Sequence, residues 1–395
     1  MKKAILFGLI FAMVLSLCAC NTKKINGQSD TELVITESIK QNNTAEGSIV
    51  QSSTEQELSK AEGAPEVQSI SIISFPKTYN DTVNGIVFET SIEIPDTFDF
   101  SAIKRSTAVR QFVDLEATKN FFSESKEIVE ERFDDYAEPE VDEWSGEFSD
   151  SSMLSIGLVF GYGTTLSRQI DERFLAYENG SRFSKTNQLT TITPEIALNK
   201  FEEYMRLFNC DVGEYNYSYY LIDHQTIQGI TVDTISDSPM GSYNWSTEDD
   251  AYYFYIEQKY QDLPVYFGIE NFPQDYEYYR PLQMIYSQRG LEKLYMLSTY
   301  TFSESEEPIQ LLDFSEVVSL VSNKYGNLLT NASYVVNRAK LYQMPVVNAT
   351  GDYDLKIAWL VEITESGIDV ELDGEPYDYT FYISVNAETG EEILL

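Results

Sequence analysis

The 395-residue chain has one histidine, three cysteines, and 27 lysines and arginines against 64 aspartates and glutamates. Each scarcity excludes something. A single histidine rules out a multi-histidine zinc site. Without a G-x-S-x-G elbow to accompany it, His224 reads as a structural or solvated loop residue and not a triad member. No P-loop and no dinucleotide fingerprint is present. Gly157, Gly161 and Gly163 lie in a strand-like run, where glycine marks a bulge or a close backbone approach. The net charge of −37 lacks the basic footprint of a nucleic-acid binder. The same charge opposes lying flat on anionic lipid head groups and favours attraction of cations. Long apolar runs are also scarce. The one obvious example, residues 4–17, is shorter than the ~20 residues that span a bilayer.

That run is the sharpest signal in the chain. Lys2 and Lys3 precede it, and it ends in Leu17-Cys18-Ala19-Cys20. The pattern resembles the bacterial lipobox, with an aliphatic residue at −3 and a small residue at −1 before an invariant cysteine. The resemblance implies cleavage after Ala19 and diacylglyceryl transfer to the Cys20 thiol. Cys18 suits this less well, because Leu17 would then occupy −1. An ordinary secretory signal with an incidental cysteine, or an uncleaved anchor, is the alternative. Two acyl chains hold a protein far better than one, at about 0.8 kcal/mol per buried CH₂. Cleavage would leave 25 basic against 64 acidic side chains, a net −39. Cys210 would then be the one remaining thiol, unable to form an internal disulfide and expected as a small buried hydrophobe.

Five segments are expected. Residues 1–19 form the lipoprotein signal peptide and 20–66 a disordered polar tether, too poor in apolar surface to offset ordering entropy. Residues 67–190 form a β-rich N-terminal domain, with strands at 69–74, 86–94 and 153–162. A helix is expected over 114–133, and a hairpin at Phe174 to Phe183 around Asn179-Gly180. Residues 191–302 open with a helix announced by Thr193-Pro194-Glu195. Strands follow at 215–222, 226–233, 251–260 and 264–270, then a hairpin turning at Gln288-Arg289-Gly290. Residues 303–395 open at Asp313-Phe314-Ser315-Glu316, which suits a capping box, and Gly326 stands where a left-handed C-terminal residue belongs. Strands are expected at 332–342, 355–363, 367–372 and 377–386, with a turn at Asp373-Gly374. Lys259 to Val265 and Lys340 to Val346 both read Lys-x-x-x-x-Pro-Val, which suggests a duplicated helix-plus-sheet unit.

The closing Tyr382, then Val385-Asn386-Ala387-Glu388-Thr389-Gly390-Glu391, is similar to the end of PepSY-type modules. The order of lipobox, tether, β-rich region and two helix-plus-sheet units resembles uncharacterised clostridial lipoproteins. More distantly it resembles the YycH and YycI regulators, which restrain a sensor histidine kinase but are held by a transmembrane helix. The expected fold is therefore α+β, a β-rich N-terminal domain followed by two helix-plus-antiparallel-sheet, PepSY-like units.

Catalysis finds little support. Carboxylate pairs abound, so an acid–base pair of the glycosidase kind is compatible with composition alone. Asp369, Glu371, Asp373 and Gly374 match half of a calcium loop, but Thr380 stands where a bidentate Glu is needed. The acidic block 124–150 reads as a solvated surface. Tyrosines at 215–220, 252–255 and 276–279 suit strands better than a glycan platform. The expected protein is a non-enzymatic, extracytoplasmic lipoprotein on the outer face of a Gram-positive cell membrane, with no cofactor. It would bind or regulate another envelope protein, such as a sensor kinase. Capture of a glycan or peptide is the alternative.

Overall fold

The computed structural model describes residues 75–134, 143–174, 180–230, 243–267, 280–328, 332–367, 371–372, 375–376 and 378–394. Ser69–Leu395 forms one compact unit. The first part of the chain gives β1 (Thr78–Val83), β2 (Ile86–Glu93), β3 (Lys104–Gln111), α1 (Leu115–Ser123), β4 (Ile128–Asp134), β5 (Glu143–Phe148), β6 (Met153–Ile156), β7 (Phe160–Gly163) and α2 (Thr165–Phe174). Next come α3 (Pro194–Leu207), β8 (Tyr215–Ile222), α4 (His224–Gln228), β9 (Ala251–Tyr260), β10 (Leu263–Pro264), β11 (Leu282–Ser287), β12 (Gly290–Met296) and β13 (Thr299–Pro308). The last part gives α5 (Phe314–Tyr325), β14 (Ser333–Val347), β15 (Tyr353–Ser366), the two-residue pair β16 (Glu371–Leu372) and β17 (Glu375–Pro376), β18 (Tyr379–Asn386) and β19 (Glu392–Ile393).

Two large sheets organise these strands. The first runs β1-β2-β14-β15-β18-β19, with β3 joining β15 to β13. It is mixed, because β2 and β14 are parallel while the other pairs are antiparallel. The second is wholly antiparallel and runs β10-β9-β11-β12-β7-β6-β5-β4, with β8 also on β9. Alternation decides the cores. Tyr252, Phe254 and Ile256 pack with Ala197, Phe201 and Met205 of α3. Ala251, Tyr253 and Tyr255 point the other way, onto Leu166, Ile170 and Phe174 of α2. Strand β9 is thus buried on both faces, which is why it reads as an unbroken apolar run. Across the first sheet lies α5, with Phe314, Val317, Val318 and Val321 against Val336, Leu341 and Trp359. A register shift between Val336 and Arg338 inserts Asn337, so Val336 and Ala339 face the same core.

Local signals explain the helix starts. Asp114 accepts from the Ala117 N–H at 2.8 Å, and Thr193 caps α3 with Pro194 following. Asp313 precedes α5 without a side-chain cap bond, so the expected capping box is not formed. Gly326 is right-handed (φ −66°), and its role is steric. A Cβ there would lie 2.5 Å from the carbonyl oxygens of Asn84 and Ser322.

The expected α+β arrangement of PepSY-like units is corrected by the sheets. Among the described residues strand accounts for 47% and helix for 21%, so the described part is mostly β. The reason is long-range pairing. β1–β3 complete the sheet of the last region, while β4–β7 complete that of the middle one through β7 and β12. Neither later region therefore closes a helix-plus-sheet unit by itself. The two Lys-x-x-x-x-Pro-Val copies do not occupy equivalent strands either. Lys259 is the penultimate residue of β9 and Lys340 lies in the middle of β14, and the copies abut through a bridge between Val265 and Gln343. Smaller corrections follow the same logic. The helix expected over 114–133 stops at Ser123, because β-branched Ile128 and Val129 open β4. Phe174 ends α2 and forms no hairpin strand, and Thr226 to Gln228 lie in α4 where a strand was expected. The strand expected over 153–162 is a hairpin, β6 and β7. The strand expected at 69–74, Asn179 and the Asp373-Gly374 turn lie outside the described residues.

Candidate binding cleft

The residues that suggested chemistry are mostly engaged in the framework. His224 Nδ1 lies 2.8 Å from Asp250 Oδ1, which also accepts the His224 backbone N–H at 2.6 Å. Cys210 is in the core on the other face of the sheet, its Sγ 3.1 Å from Thr299 Oγ1, and burial pushes its thiol pKa up. Buried Asp249 and Glu292 do not face each other across an open cleft, because Arg289 contacts both. Asp249 also accepts from Tyr243 and Ser246, and Glu292 from Thr164 and Ser287. Lys293 Nζ sits within 3.1 Å of Asp171, Tyr253 and Gln283, a satisfied polar network under α2.

The acidic block behaves as a solvated surface among its described members. Glu131 bonds Lys119 at 2.8 Å, Glu130 bonds Arg132 at 2.6 Å, and Asp150 pairs with Lys126 at 2.7 Å. No group of three or more His, Cys, Asp or Glu that could hold a metal occurs among the described residues. Asp369, Asp373 and Gly374 fall outside them, as do Lys2, Lys3 and the lipid-attachment candidate Cys20. No helix among the described residues is long and apolar enough to cross a membrane. The tyrosines at 252, 253 and 255 are core residues, with exposures of 0–2%. The closing Asn386 to Glu391 segment is a turn, in which Asn386 Oδ1 accepts from the Glu388 N–H at 2.8 Å and Gly390 takes φ +71°.

An open cleft of about 530 Å³ lies where the two sheets meet. Asp211 and Glu214 come from the loop after α3, Lys259 to Asp262 from the β9–β10 connection, and Tyr300 to Phe302 from β13. Tyr260 pairs with Leu263, so Gln261 and Asp262 alone make the turn, both with positive φ (48° and 63°). Such turns favour Asn-Gly, since a left-handed residue other than glycine costs about 1–2 kcal/mol. Gln261 is held there by its side chain. Its Nε2 donates to Glu304 Oε2 at 3.1 Å, and its Oε1 accepts from Gln343 Nε2 at 3.3 Å. The turn therefore ties β13 and β14 to the second sheet. Beside it the Tyr260 and Phe302 rings stack with centroids 4.5 Å apart.

The cleft is acidic. Lys259 Nζ lies 3.1 Å from Glu214 and 3.7 Å from Asp262, one ammonium among three carboxylates including Asp211. Gln258, buried at 3% exposure, braces the Tyr300 backbone. Its Oε1 accepts the Tyr300 N–H at 2.8 Å, and its Nε2 donates to the Tyr300 and Val212 carbonyls at 2.9 and 2.8 Å. Sequence reasoning passed over this site except for one copy of the Lys-x-x-x-x-Pro-Val motif. The available signal was Gln261-Asp262 before Leu263-Pro264, a polar pair interrupting two apolar stretches.

No family model matches the chain, and no curated protein matches it. Among solved structures it is similar to an uncharacterized protein from Eubacterium rectale ATCC 33656, with a TM-score of 0.54 and 16% identity over 79% of this chain and 91% of that one. At that identity the likeness concerns the fold alone.

Proposed function

We propose that the protein is a non-catalytic binding or regulatory module, held by a lipid on Cys20 at the outer face of a Gram-positive cell membrane. It engages another envelope protein through the cleft between the β9–β10 turn and β13. The observation that carries this reading is the cleft itself, an open cavity with aromatic walls and an excess of two carboxylates over its one ammonium. Together with the net charge of −37, it favours a basic partner segment. A sensor kinase is the partner suggested by the resemblance to YycH and YycI. A second reading, capture of a glycan, draws support from the Tyr260–Phe302 stack beside these acids.

In-cell crosslinking and affinity capture test the first reading. A basic membrane protein should be recovered with the wild type and lost with the Glu214→Gln, Asp262→Asn double variant. Equal recovery by the variant refutes the site. Binding of soluble glycans with no protein recovered moves the assignment to the second reading. The lipid anchor has its own check. Cys20→Ala should stay in precursor form without palmitate label, and normal processing would refute the attachment site.

A further inference from the structure

Strand β13 has β3 on one side and, among the described residues, no strand on the other. Its hydrogen-bond parity shows which groups that open edge presents. Because Gln258 takes both the N–H and the C=O of Tyr300, Tyr300 faces away from β3. In an antiparallel pair successive residues alternate, so Thr301 and Ser303 bond toward β3. The backbone groups of Phe302 and Glu304 then point outward, as those of Tyr300 do. The regular register extends through Glu304 and breaks before Pro308. The Gln258 side chain is chemically an amide like a peptide group. It already occupies the first outward position as the backbone of a neighbouring strand would.

The same stretch of β13 lines the cleft. Tyr300, Thr301 and Phe302 share its lining with Asp211, Glu214 and Asp262, the last two within 4 Å of Lys259. Resting on the proposed function above, we infer that the cleft receives an extended basic peptide that adds to β13 as a strand. The peptide continues the pairing begun by Gln258 through the N–H and C=O of Phe302 and Glu304. Its lysine or arginine side chains meet Glu214, Asp262 and Asp211. Backbone bonds supply affinity and the carboxylates select charge, the usual division of labour in strand addition.

The probe is an extended decapeptide of alternating Lys and Val, used with the full-length protein. Its partners are the same peptide N-methylated at alternate residues and an alternating Glu-Val peptide. The Lys-Val peptide should bind, the Glu-Val peptide should not, and N-methylation in the register facing β13 should weaken binding at least tenfold. Glu304→Pro removes an outward N–H and should lower affinity at least tenfold, whereas Glu304→Ala retains that N–H and should lose under threefold. Thermal melts of both variants establish that they are folded. If N-methylation and Glu304→Pro leave affinity unchanged while the Glu214→Gln, Asp262→Asn double variant abolishes binding, strand addition is wrong but the cleft stands. Failure of the Lys-Val peptide to bind also overturns strand addition. Partner recovery unaffected by the double variant overturns the cleft itself.

Discussion

Strands β9 and β13 are both ten residues long, and both carry Tyr-x-Phe at their second and fourth positions. Their fates differ completely. In β9 the first eight residues are buried, sandwiched between α3 and α2 and flanked by β8, β10 and β11. In β13 burial ends after Tyr300, and the Ser303 to Glu307 stretch carries its acids into solvent. A shared aromatic start thus does not determine whether a strand becomes core or edge. The following residues decide it. Tyr255 and Ile256 extend the apolar run of β9, whereas Ser303 and Glu304 end that of β13. Charged side chains on an edge also discourage indiscriminate pairing between copies.

The contrast can be broken by mutation. Phe254→Ala should cost about 3–5 kcal/mol, as expected for an aromatic removed from a packed core. The equivalent Phe302→Ala, at a half-buried position, should cost about 1–2 kcal/mol. Urea denaturation measures both, and equal losses would mean that β13 is as well covered as β9. Gln258→Ala should cost about 1–3 kcal/mol, because it strands the Tyr300 N–H and two carbonyls. Asp262→Gly should act in the opposite direction, stabilising by about 1 kcal/mol by relieving a left-handed residue. The same change should weaken binding of the Lys-Val peptide, separating stability from recognition at one position.

The smallest effect is pH-dependent. Burial would raise the Asp150 carboxyl, but the bonds from Lys126 and Ser152 outweigh it and hold the pKa below its ordinary value. A depressed acid contributes stability above its unfolded pKa and loses it as pH falls through the folded value. Lys126→Met should therefore be less stable than wild type at pH 7, and the gap in urea midpoint should narrow at pH 3. A gap that widens on acidification would contradict the assignment.

Much of the local structure was legible in the sequence. The Thr193-Pro194 start of α3, the apolar stripe of α5 and the alternation of β2 each depend on neighbours within a turn or a strand. The sheets were not legible, because their pairings join residues far apart. Val87 beside Val335 and Tyr162 beside Leu294 leave no local trace. The helix α2 was missed because Gln169, Asp171 and Glu172 give it a polar sequence, although Leu166, Ile170 and Phe174 make its buried stripe. The cleft was hidden for the same reason as the sheets. Gln258 looks like any polar residue at a strand end until Tyr300 is placed beside it.

Residue-resolved amide hydrogen exchange of the free protein tests the open edge most directly. The Phe302 and Glu304 amides should exchange fast while Tyr300, Thr301 and Ser303 are slow, and the Lys-Val peptide should slow the first two. Phe302 and Glu304 amides as protected as Thr301 and Ser303 in the free protein would show that the edge is already occupied, and the binding site would have to be sought elsewhere.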